Sequence, residues 1–89
     1  MATRSDTPRP SRPHTRTLYV GGFAAHTSPD DLRALFSRHG EIAEIRLVDR
    51  GDASFAYITF VSEQAALTAR NELDGTPLAG RLLRVELAL

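Results

Sequence analysis

Along Ser54-Phe55-Ala56-Tyr57-Ile58-Thr59-Phe60, side chains alternate with the two-residue period of a β-strand. Both faces of that strand are rich in apolar groups. Ala56, Ile58 and Phe60 form one set, and Phe55 and Tyr57 open the other. If the first set enters a core, two aromatic rings stand side by side on the opposite face. A small domain does not ordinarily leave such a pair on an open sheet unless something docks there.

The rest of the chain supplies a frame for that strand. Thr17-Leu18-Tyr19-Val20-Gly21 reads as a first strand, with Leu18 and Val20 inward and Tyr19 outward. Ser28-Pro29-Asp30-Asp31 is a helix start: serine caps, proline suits the first helical position, and the acids favour the positive end of the helix. Leu32, Leu35 and Phe36 make its apolar face, and Gly40 ends it. Residues 42–48 predict a second strand, with Ile45 and Leu47 inward and Glu44, Arg46 and Val48 on the other face. Asp49-Arg50-Gly51-Asp52 is a turn. After the aromatic strand, Ser62 caps a second helix whose Ala65, Ala66, Ala69 and Leu73 share a face, closed by Asp74-Gly75. A last strand is expected over residues 82–87, with Leu83 and Val85 inward and Arg84 and Glu86 outward.

The order β-α-β-β-α-β predicts an α+β fold, the ferredoxin-like split βαβ arrangement. Two helices cover only one face of a four-stranded antiparallel sheet. The helix-facing positions are then Leu18, Val20, Ile45, Leu47, Ala56, Ile58, Leu83 and Val85. The open face carries Tyr19, Arg46, Phe55, Tyr57, Arg84 and Glu86.

Composition narrows the chemistry. Eighty-nine residues, 42% of them hydrophobic, bound one small packed domain. Without cysteine, disulfides, thiol catalysis and cysteine–zinc sites are excluded. No apolar run approaches the roughly 18 residues of a membrane span, and no apolar signal-peptide core opens the chain. The protein therefore reads as intracellular. The net charge of zero is uneven: residues 1–16 hold four arginines and one aspartate, while residues 17–89 hold seven arginines and ten acids. Thr7-Pro8-Arg9-Pro10-Ser11-Arg12-Pro13 suits neither a helix interior nor a central strand. Residues 1–15 are expected to be a flexible tail, either an interaction arm or a solvated leader, and residues 16–89 the domain.

Over roughly residues 16–88 the chain resembles the RNA recognition motif (RRM) family. The family's hexamer box is similar to Leu18-Tyr19-Val20-Gly21-Gly22-Phe23, and its octamer box to Ala53-Ser54-Phe55-Ala56-Tyr57-Ile58-Thr59-Phe60. Gly40-Glu41-Ile42 and Leu73-Asp74-Gly75 followed by Gly80-Arg81-Leu82-Leu83-Arg84-Val85 also fit. The resemblance implies a module for single-stranded RNA, with single-stranded DNA as a related ligand, acting in RNA processing. It implies that Tyr19 and Tyr57 each stack a base while Phe55 wedges against sugars. Arg46 and Arg84 then flank the rings and meet phosphates or base edges. Glu44 and Glu86 either accept from base amino groups or stand as neutral edge residues. By the resemblance alone, the expected compartment is the nucleus and the expected state a monomer.

The departures from the pattern fall on the phosphate side. The usual cation and glycine that open the octamer are Ala53 and Ser54, leaving Arg50 in the adjacent turn as a substitute charge. Arg70 stands where the family usually has an aliphatic residue. The domain proper is acidic, so modest affinity and a shallow salt dependence are expected.

Two other functions compete. One is a protein-interaction module of the same fold, acting through its helical face; the Arg-x-Phe motif of such variants is absent from Thr76-Pro77-Leu78-Ala79-Gly80. The other is catalysis. His14, His26 and His39 are scattered and form no recognisable metal set, and Gly21-Gly22 has neither a lysine nor an adjoining helix to make a phosphate loop. Neither a cofactor nor a metal is expected.

Overall fold

The structure, a computed structural model, describes residues 15–23, 27–51, 54–78 and 80–88. The expected tail, apart from Thr15, lies outside the described residues, as do Ala53, His14 and His26. The elements are β1 (Thr17–Gly21), α1 (Pro29–Phe36) with a 3-10 turn (Ser37–His39), β2 (Ile42–Val48), β3 (Phe55–Phe60), α2 (Glu63–Leu73), β4 (Pro77–Leu78), β5 (Arg81–Leu82) and β6 (Arg84–Leu87). Four strands form one sheet in the order β2-β3-β1-β6. Every pairing in it is antiparallel.

Both helices begin where their serines cap them. Ser28 Oγ accepts from the Asp31 N–H at 3.1 Å, and the Asp31 carboxylate accepts from the Ser28 N–H at 3.0 Å. This reciprocal box satisfies two donors that the first turn would otherwise leave unpaired. Ser62 Oγ accepts from the Ala65 N–H at 3.1 Å. The α-helical part of the first helix stops at Phe36, and the 3-10 turn carries the chain on to Gly40. A Cβ at Gly40 would strike the Cβ of Ala65, so the missing side chain lets α2 lie against the end of α1.

The core lies between the helices and one face of the sheet. Leu18, Val20, Ala56, Ile58, Leu83 and Val85 from the strand region join Leu32, Phe36, Ala66, Ala69 and Leu73 from the helices. Each large aliphatic or aromatic side chain buried there contributes about 1.5–3 kcal/mol relative to exposure. Ile45 and Leu47 pack on the same core but are only partly buried, because β2 is an edge strand. All eight predicted inward residues face this core, and Phe23 and Phe60, which that set omits, are buried in it as well.

Two boundaries differ from the sequence reading. The last strand begins at Arg84 rather than at residue 82, because Arg81 and Leu82 pair with Leu78 and Pro77 in a separate two-stranded hairpin. The Leu83 N–H donates to the Thr76 carbonyl at 2.8 Å, and the Gly75 N–H donates to the Leu83 carbonyl at 2.8 Å. The Val85 N–H, on the outer edge of β6, donates to the Asp74 carboxylate at 2.9 Å. Residues 74–76 therefore cover an edge that would otherwise offer unpaired groups to another strand. Gly22, at φ +80°, lies under this region; a Cβ there would meet the Leu82 carbonyl oxygen at 2.6 Å.

The aromatic strand begins at Phe55 rather than at Ser54, because Ser54 is committed to the preceding turn. Its buried hydroxyl accepts from the Arg50 N–H at 2.8 Å and lies 2.8 Å from the Gly51 carbonyl and 3.1 Å from the Asp49 carboxylate. At the far end of the sheet, β1 and β6 are tied together. The Ala88 N–H donates to the Thr17 carbonyl at 2.9 Å, and Thr15 Oγ1 donates to the Ala88 carbonyl at 2.7 Å.

Candidate nucleic-acid interface

Side chains alternate across a strand, so burial of Leu18, Val20, Ala56 and Ile58 sends their neighbours to the other face. The register sorts those neighbours into rows. One row runs Arg46, Tyr57, Tyr19, Glu86 across β2, β3, β1 and β6. The next runs Val48, Phe55, Gly21, Arg84. A third begins Glu44, Thr59, Thr17.

The three rings touch one another. Tyr19 and Phe55 have centroids 5.7 Å apart at 38°, Tyr19 and Tyr57 are 6.0 Å apart at 61°, and Phe55 and Tyr57 are 5.7 Å apart at 82°. These tilted and edge-on contacts suit the ring quadrupoles. They also hold the rings as one fixed cluster. Tyr57 is 39% exposed, while Tyr19 and Phe55 are half-buried. Gly21 makes room for part of the cluster. A Cβ there would lie 2.9 Å from the Tyr19 hydroxyl, so the Tyr19 ring extends along its own strand over the glycine.

Charged groups frame the rings. Arg46 stands opposite Tyr57, with its Nη2 3.7 Å from Glu44 Oε2; the two side chains are 71% and 61% exposed. Glu86 stands opposite Tyr19, and Arg84 opposite Gly21; both are exposed. Arg50 sits on the exposed β2–β3 turn, just beyond the Val48–Phe55 pair, and so lies off the sheet. The fold thus gathers Tyr19, Phe55, Tyr57, Arg46, Arg84 and Glu86 on one face and leaves Arg50 at its margin.

Two residues of this face escaped the sequence reading. Thr17 and Thr59 are register partners, and their hydroxyls are 2.9 Å apart. Each lies two residues from a ring of the platform, Tyr19 and Tyr57, so the same alternation would have found them. Among the described residues, no group of three or more His, Cys, Asp and Glu is placed to hold a metal ion.

Comparison with known proteins fits this geometry. A family model described as RNA recognition motif matches residues 18–84. The chain is 37% identical over 75 residues to the glycine-rich RNA-binding protein 3, mitochondrial, of Arabidopsis thaliana, covering 80% of this chain and 24% of that protein. It is 38% identical over 71 residues to the human splicing factor, proline- and glutamine-rich, covering 80% of this chain and 10% of that one. Among solved structures, the C. elegans NONO-1 homodimer superposes with a TM-score of 0.76 at 34% identity, covering 83% of this chain and 29% of that chain. The chain therefore spans a quarter or less of the length of these curated relatives.

Proposed function

The chain belongs to the RNA recognition motif family, and on that premise we propose that it is a non-catalytic module binding single-stranded RNA on the open face of its sheet. The observation that carries this reading is the contact of Tyr19, Phe55 and Tyr57, three rings from two strands, on the face without helices. Tyr19 and Tyr57 each stack one base, and Phe55 packs against the sugars between them. Stacking contributes about 1–3 kcal/mol per base. Two platforms with few cations therefore give an affinity of about micromolar or weaker.

Arg84 meets phosphate at one side of the platform and Arg50 at the turn end. Arg46 and Glu86 face the base edges. The module acts as a monomer within an intracellular RNA-processing or RNA-metabolic protein. One relative is named as mitochondrial and another as a splicing factor, so the shared domain does not by itself specify an address.

The test is a titration of the whole chain with single-stranded hexanucleotides, followed by backbone amide shifts. Shifts gathered on β1 and β3, and a Tyr57→Ala variant that binds at least about tenfold more weakly, are expected. Amide shifts that stay flat up to millimolar RNA would sink the proposal. Shifts on α1 and α2 with a protein partner, without any response to RNA, would turn the assignment toward a protein-interaction module.

A further inference from the structure

Between β2 and β3 the open face has a hollow of about 130 Å³, bounded by Glu44, Arg46, Tyr57 and Thr59. Its corners are two register pairs, Glu44 with Thr59 and Arg46 with Tyr57. One corner is therefore an aromatic ring, and the two on β2 are a carboxylate and a guanidinium. The Thr59 hydroxyl is shared with Thr17, so Thr59 serves as a wall. Glu44 and Arg46 keep 61% and 71% of their side-chain surface exposed and approach only to 3.7 Å. Such an exposed pair contributes little to stability. Both charged heads are free to exchange each other for a ligand without loss to the fold.

A base resting on Tyr57 presents an edge to these heads. The four bases differ in what they offer. Guanine has two adjacent donors, N1–H and the N2 amine, which the two oxygens of one carboxylate accept together. Beside them are O6 and N7, the acceptors that an arginine fork matches. Uracil has one ring donor between two carbonyl oxygens, which face a carboxylate unfavourably. Adenine and cytosine set an amino donor beside a ring acceptor, so one carboxylate oxygen is again opposed by a lone pair. A carboxylate and a guanidinium side by side, at the edge of a stacking ring, complement guanine best.

We infer that this hollow is a guanine subsite, in which Glu44 accepts from N1–H and the N2 amine while Arg46 donates to O6. The inference rests on the RNA-binding reading above and adds a base preference at the Tyr57 platform.

The whole chain is titrated by fluorescence anisotropy with hexauridine and with the same strand carrying one central guanosine, adenosine, cytidine or inosine. The guanosine strand should bind about tenfold tighter than hexauridine. Inosine, which lacks the N2 amine, should lose a large part of that gain. In Glu44→Ala, which leaves no acceptor for the N2 amine, the preference for guanosine over inosine should disappear, while the thermal unfolding midpoint stays that of the parent chain, since the side chain is exposed. Equal affinity for all five strands would overturn the guanine subsite and leave the stacking platform standing. A preference for guanosine over inosine that survives Glu44→Ala would also overturn it. Failure of every strand to bind would overturn the platform itself, and with it this subsite.

Discussion

Tyr19 rests over Gly21, two residues further along the same strand, at a distance that leaves no room for a Cβ. The first ring of the platform is therefore positioned partly by what its neighbour lacks. Gly21 also pairs with Phe55 on one side and Arg84 on the other, so it lies between a ring and a cation in its row. Replacing it by valine should tip Tyr19 away from Phe55. The expected result is RNA binding weakened by about 1 kcal/mol or more, the scale of one stacked base. Anisotropy titration of Gly21→Val against the parent chain checks this, with circular dichroism to confirm that the sheet is intact. Unchanged affinity would mean that the tilt of Tyr19 is irrelevant to binding.

Asp74 holds the outer edge of the sheet. Its carboxylate takes the Val85 N–H. Asp74→Ala should destabilise the fold by about 1–3 kcal/mol, the cost of leaving a part-buried donor without its partner. Asp74→Asn, which keeps an acceptor oxygen, should lose less. Urea unfolding of the three proteins gives the order, and RNA affinity at temperatures well below unfolding should be the same for all three.

Ser54 departs from the glycine expected at its position, and its hydroxyl gathers the β2–β3 turn. Ser54→Ala removes the acceptor for the Arg50 N–H and should cost about 1–3 kcal/mol by the same reasoning. Arg50 should then bind RNA less effectively, because the turn that presents it is looser. The measurement is thermal unfolding together with amide exchange at residues 50 and 51. Unaltered protection there would show that the turn is held by its backbone alone.

The acidic body and scarcity of cations set the salt response. Single strands give a slope of about 0.7 in log affinity against log salt for each phosphate contact. With Arg84 and Arg50 as the contacts, the whole slope should be about 1.4, and Arg84→Gln should lower it by about 0.7. A steep slope that Arg84→Gln leaves untouched would assign phosphate binding to other arginines.

Much of this was legible in the residues because the strands alternate cleanly. Once Ile58 and Val20 are inward, Tyr57 and Tyr19 have nowhere to go but the open face. Serine, proline and two acids in a row likewise announce the start of α1. The hairpin of β4 and β5 was not legible: each strand has two residues, too few for a period, and Pro77 argues against a strand altogether. The part played by Ser54 was hidden for a different reason. Its bonds depend on where the Arg50 and Gly51 backbones return in space, and side-chain alternation along a strand carries no information about that. The Glu44–Arg46–Thr59 hollow needed the register of β2 against β3, which shifts between Ile42 and Glu44.

The tie between Thr15 and Ala88 has a consequence for how such a unit can be used. The chain enters and leaves the fold side by side, so the domain behaves as a cassette: it can be spliced into a loop of another protein without prying that loop apart. The same closeness makes a circular permutation feasible. A short glycine-rich bridge from residue 88 to residue 15, with new ends cut in the β2–β3 turn, should preserve the ring platform, since every strand pairing that builds it remains within one unbroken sheet.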